Sequence, residues 1–188
     1  MVSLTKLNKV LNFILLQTVW FGLVVGVVYQ DIWLGLGFFV AFAIWQLHPM
    51  NRKPNDLIII FSLTLLGIML DSLWLQLGLI SYEMQWPFSF MAPIWIVMLW
   101  IAFGLTINHS LAWIFDYKWL GISMGAIGGP LSYLAAQKFG AVTLNEPFWA
   151  LAALAIGWTL VMSLLIVLFS EAARYKSNIS GKREASWN

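Results

Sequence analysis

Residues Gly121 to Gly140 read GISMGAIGGPLSYLAAQKFG, and how this stretch is read decides the fold. It is apolar and, at about 1.5 Å of helical rise per residue, long enough to cross a bilayer. Gly121, Gly125, Gly128, Gly129, Ser132, Ala136 and Gly140 recur at intervals of three or four. On a helix that spacing makes one smooth stripe, along which neighbouring helices approach the backbone closely. The stretch is therefore expected to be the central packing helix of a membrane bundle. Pro130 withholds a backbone donor and crowds the carbonyl of Ala126, so a kink is expected there, with Tyr133 less than one turn further on.

The composition agrees with that reading. Hydrophobic residues make up 61% of 188 and charged residues 10%, with a mean hydropathy of +0.84, which places the chain outside soluble globular domains and among integral membrane proteins. The first apolar segment runs past the length of a signal-peptide core and lacks a small-residue cleavage site, so it is expected to stay as a span. There is no cysteine, which excludes disulfides, thiol nucleophiles and thiolate metal sites. The net charge of +2 is scattered and forms no patch for nucleic acid.

Six apolar stretches follow, at about 9–28, 32–48, 57–79, 93–115, 119–138 and 148–170, each near the length of a helical crossing. Lys6, Lys9, Arg52, Lys53, Lys118, Arg174, Lys176, Lys182 and Arg183 fall on one set of alternating ends and loops, and only Lys138 on the other. This sorting predicts an all-α polytopic bundle of six transmembrane helices with both termini cytoplasmic. Residues 1–170 form one domain, and 171–188 a polar cytoplasmic tail. Asn55 is expected to cap the third helix, Pro93 to open the fourth and Pro147 the sixth. Trp33, Trp86, Trp119 and Trp149 near span ends read as interfacial anchors, while Trp20, Trp45, Trp74, Trp100 and Trp158 lie deeper. The external loop of about 80–92 is expected to lie on the membrane surface.

Asp71 is the most informative residue. It sits well inside the third span, where a carboxyl costs at least about 2.5 kcal/mol and must face the bundle interior with a partner or be protonated. Counting helical rise puts Trp100 and Tyr133 at a similar depth, so Asp71, Trp100 and Tyr133 are expected to cluster. Asp71 and Tyr133 are the candidate catalytic residues. Trp74, Trp100, Asn108, His109, Gly129 and Pro130 are the candidate binding residues around them. Asn108, His109 and Ser110 are consecutive, so on a continuous helix they diverge and cannot all line one site. His109 lies about 13 Å along the membrane normal from Asp71, too far for a dyad, and Gln17 lies near its depth. No metalloprotease, nucleophile-elbow, phosphate-loop or dinucleotide signature occurs, so neither metal nor cofactor is expected.

Four segments together carry a resemblance: VWFGLVVG (19–26), Asp71, PIWIVMLWIAFGLTINHSL (93–111) and GAIGGPLSYLAAQKFGAV (125–142). They resemble a family of small bacterial inner-membrane proteins, domain of unknown function 2878. Pro93, Trp95, Leu99 and Trp100, and Gly128, Gly129, Pro130 and Tyr133, are its most specific parts. The resemblance implies no assigned activity and no agreed catalytic residues. Members tend to be encoded beside lipid-modifying enzymes, which leans toward an acyl-lipid role.

The expectation is a protein that binds or modifies a membrane lipid or lipid-like small molecule in a cavity near Asp71. The residues leave open whether it is an enzyme. The alternatives are a small proton-coupled transporter, which with six spans calls for a homo-oligomer, and a non-catalytic partner of another membrane protein.

Overall fold

A computed structural model describes residues 4–185, with side chains from Lys6 to Leu168. The six apolar stretches form six α-helices: α1 (Leu4–Val28), α2 (Trp33–Leu47), α3 (Asp56–Gln76), α4 (Ile94–Ile107), α5 (Lys118–Phe139) and α6 (Pro147–Ala185). Residues 186–188 of the expected polar tail lie outside the described residues, and the backbone of α6 is helical through 171–185. Three helices are long and apolar enough to cross a membrane: α1 from Lys6, α3, and α6 as far as Leu168. The α2 and α4 helices are apolar but shorter. The α5 helix has the length, but its glycines and polar residues dilute its apolar content.

Sequential helices pair: α1 with α2, α3 with α4, and α5 with α6. Glycine notches let them do so. A Cβ on Gly35 of α2 would run into the backbone of Gly22 and Leu23 on α1. Three other notches receive indoles: Trp100 of α4 fills the space above Gly67 of α3, Trp158 of α6 that above Gly129 of α5, and Trp74 of α3 that above Gly157 of α6. A side chain at any of these glycines would have to displace a tryptophan or push two helices apart. Outward faces are apolar as well. Phe61, Leu65, Met69 and Leu73 form an exposed stripe along α3, and Ile156, Leu160 and Leu164 one along α6. Apolar surface on that scale calls for a solvent other than water.

Several expectations need correction. The 80–92 segment does not simply lie on the surface. It contains β1 (Ile80–Tyr82), which pairs antiparallel with β2 (Val142–Leu144), Ile80 opposite Leu144 and Tyr82 opposite Val142. Alternation turns Ile80, Tyr82, Val142 and Leu144 inward. Asn145 clasps this ribbon to the end of α3, donating to the Gly78 carbonyl at 2.8 Å. The fourth helix stops at Ile107, and a 3-10 helix (Ala112–Asp116) carries the chain to α5. Asn55 makes no capping bond and sits at φ 69°, so the first turn of α3 has no side-chain cap; Asp56 Oδ2 instead accepts from the Lys53 N–H in the preceding turn at 2.8 Å. Pro130, where a kink is expected, lies inside α5, which runs helical through it from Lys118 to Phe139. Trp33, Trp86, Trp119 and Trp149 are exposed near helix ends, whereas Trp74 and Trp100 are buried.

Candidate functional site

Asp71 is on the α3 face that packs against α4 and α6, and it is fully buried. Its Oδ1 accepts from the Tyr82 hydroxyl at 2.6 Å and from the Tyr133 hydroxyl, and its Oδ2 accepts from Trp100 Nε1 at 2.7 Å. Donors thus arrive from β1, α5 and α4 onto one carboxyl. Aromatic edges hold them: Trp74 meets Tyr133 edge-on at 6.0 Å, and Trp95 meets Tyr82 at 6.1 Å. Burial beside Asp71 pushes the Tyr82 phenol well above its ordinary pKa, so it remains a proton donor.

On the far side of Trp100 and Tyr133 lies a cavity of about 530 Å³, walled by α1, α4, α5 and α6. Trp20, Trp95, Trp100, Phe103 and Trp158 give it an aromatic lining, with Trp100 and Trp158 stacked at 4.9 Å. Its floor on α5 is the small-residue stripe, Gly125, Gly128, Gly129, Ser132 and Ala136. The wall contains no Asp, Glu, Lys, Arg or His. Phe21, Met124 and Leu131 belong to the wall and are also exposed on the outer surface, so the cavity opens sideways between α1 and α5. At Gly128 an added Cβ would meet nothing within 4 Å.

The structure brings Asp71, Trp100 and Tyr133 together, but only Trp100 and Tyr133 face the cavity. Asp71 stands behind the wall with both oxygens engaged. Chemically this is a carboxyl that orients two phenols and an indole, and Tyr133 is the group through which it reaches the void. Trp74 buttresses Tyr133 from outside the wall; Gly129 lines the cavity and Pro130 is buried beside it.

Asn108 and His109 belong to a second polar cluster. Because α4 ends at Ile107, Asn108 to Ser110 lie on a turn rather than a helix, and side chains that helical geometry would separate converge. Asn108 Nδ2 donates to Asp56 Oδ1 at 2.7 Å, and His109 Nε2 lies 2.9 Å from Asp56 Oδ2. Gln46 Nε2 is 3.2 Å from His109 Nδ1, and Asn12 donates to Gln46 Oε1 at 2.6 Å while accepting from Ser110 Oγ at 2.6 Å. A neutral His109 satisfies this set, donating from Nε2 to Asp56 and accepting at Nδ1. Burial lowers the His109 pKa, against the opposite pull of Asp56. The cluster ties α1, α2, α3 and the turn after α4 together. Gln17 is not part of it.

Tyr82, Asn12, Gln46 and Asp56 are not legible as site residues in the sequence, while Ser110 is legible as polar but not as a partner of Asn12. A glutamine inside AFAIWQL was the one available signal, since an amide in so apolar a run needs a partner. Tyr82 carried none, because nothing in a loop sequence announces which side chain turns inward. Among the described residues, no group of three or more His, Cys, Asp or Glu is placed to hold a metal ion.

Neither a curated protein nor a solved structure matches the chain. One family model does, over residues 9–164, which covers α2 to α5 whole, most of α1, the first half of α6, both networks and the cavity wall, and the chain therefore belongs to the family described as protein of unknown function DUF2878.

Proposed function

We propose that this protein is a six-span component of the bacterial inner membrane, with both ends cytoplasmic, that binds a lipid-like hydrophobic molecule in the cavity between α1, α4, α5 and α6. The observation that carries this reading is the cavity itself: about 530 Å³, aromatic, free of ionisable side chains other than Tyr133, and open through an apolar flank. A water-soluble or charged solute would lose its hydration there without compensation. A hydrocarbon chain loses nothing, and a sideways opening suits entry from the lipid phase. Retention is favoured over chemical modification, because Asp71 is spent on three donors and does not touch the void. The same engagement weighs against a proton-coupled carrier that titrates Asp71. The sorting of nine basic residues against Lys138 supports the orientation.

Gly128→Phe supplies the test, because the added ring fills the cavity without meeting a neighbour at its Cβ. Protein purified in a mild detergent and extracted into organic solvent is expected to yield a hydrophobic molecule from the wild type, by mass spectrometry, and none from the variant. Equal recovery from both, at matched thermal stability, would remove the proposal.

A further inference from the structure

Two polar groups of the cavity wall are left unspent at the surface of the void, the Trp20 indole N–H and the Gln17 carboxamide, and of these only the carboxamide both donates and accepts. Ser132 Oγ donates to the Gly129 carbonyl at 2.7 Å, and the Tyr133 hydroxyl donates to Asp71. The Trp158 indole N–H has no partner, but it is sealed against α5 at Gly129 and out of reach from the void. Gln17, half-buried in the middle of α1, makes no hydrogen bond, although its turns of the helix are apolar apart from Thr18, whose hydroxyl donates to the Ile14 carbonyl. An unsatisfied carboxamide in such surroundings is costly. Gln17 and Phe21 also line a second depression, of about 640 Å³, that runs between α1 and α2 toward Tyr29 and Asp31. The amide therefore stands where two apolar tracts meet.

Resting on the cavity reading above, we propose that Gln17 is the hydrogen-bonding contact for the bound molecule. Its carboxamide recognises an uncharged oxygen group, an ester carbonyl or a hydroxyl, on a long-chain compound. Hydrocarbon on one side of that group fills the cavity, and hydrocarbon on the other side follows the α1–α2 depression. The amide N–H donates to a carbonyl, and a hydroxyl can both accept from the N–H and donate to the amide oxygen. An ionised carboxylate or phosphate is excluded from this position because no cationic side chain lines either tract.

Bromine quenching of tryptophan reads the binding directly, since Trp20, Trp95, Trp100 and Trp158 line the cavity. The full chain in detergent is titrated with four probes brominated at mid-chain: methyl stearate, stearyl alcohol, ionised stearate and octadecane. The ester or the alcohol is expected to bind about tenfold more tightly than octadecane or stearate, the advantage of one neutral hydrogen bond in an apolar site. Whichever of the two binds tighter identifies the oxygen group. Gln17→Leu is expected to erase that advantage, with octadecane still quenching and the thermal midpoint matching the wild type, which shows that the variant is folded. The proposal is overturned if neither oxygen probe outbinds octadecane, if stearate binds best, or if the advantage survives in Gln17→Leu. Gly128→Phe separates the two failures: quenching by all four probes as in the wild type would sink the cavity reading, whereas its loss there with no effect of Gln17→Leu would sink only the role of Gln17.

Discussion

Asp71 receives hydrogen bonds from three separate elements, and its removal exposes how much of the interior leans on it. In Asp71→Leu two phenols and an indole lose their acceptor inside the bundle, each at about 1–3 kcal/mol. Asp71→Asn retains one acceptor oxygen but turns an amide N–H toward a donor, so its loss is expected to be smaller though still clear. Thermal unfolding in detergent should rank wild type above Asn above Leu; equal midpoints for all three would show that these bonds contribute nothing net. The inward acid was legible because a carboxyl in LTLLGIMLDSLWLQLG has few tolerable environments. Trp100 and Tyr133 followed from helical rise alone. Tyr82 did not, since its reach depends on the pairing of β1 with β2, a contact between segments about sixty residues apart.

Helix ends were where element-scale reading failed. The run 93–115 is apolar almost throughout, and hydropathy does not distinguish a helix from a turn that packs equally well. What stops α4 is tertiary: Asn108 and His109 find Asp56 at the start of α3, and Ser110 finds Asn12 on α1, in place of continued helical geometry. This gives a pH signature. The folded-state pKa of His109 is below its unfolded value of about 6.5, so the native state binds fewer protons in acid than the unfolded chain does. Stability is therefore expected to fall as pH drops through about 6.5 and to level off below the folded pKa. Chemical denaturation at about pH 7.5 and about pH 5.5, roughly a unit either side of that figure, should show the decline, and His109→Gln should flatten it. An unchanged slope in the variant would assign the pH dependence elsewhere.

Across the whole molecule the same charges that suggested six crossings make a direct topology experiment available. There is no cysteine, so one introduced thiol reports alone. Met50 is exposed between α2 and α3, and Glu146 is exposed just before α6. With a membrane-impermeant maleimide added outside spheroplasts, Glu146→Cys is expected to label and Met50→Cys only after lysis; labelling of both from outside would break the six-span proposal. Composition and the spacing of small residues, by themselves, determined the apolar helical character, the number of helices and the inward face of α3, because these depend only on the cost of polar groups in apolar surroundings and on the period of a helix. Only the tertiary structure decided that the carboxyl lies behind the cavity wall instead of in it, and that His109 meets Asp56. Those outcomes turn on which indole enters which glycine notch and where a helix gives way to a turn, and both are settled by contacts between segments far apart in the chain.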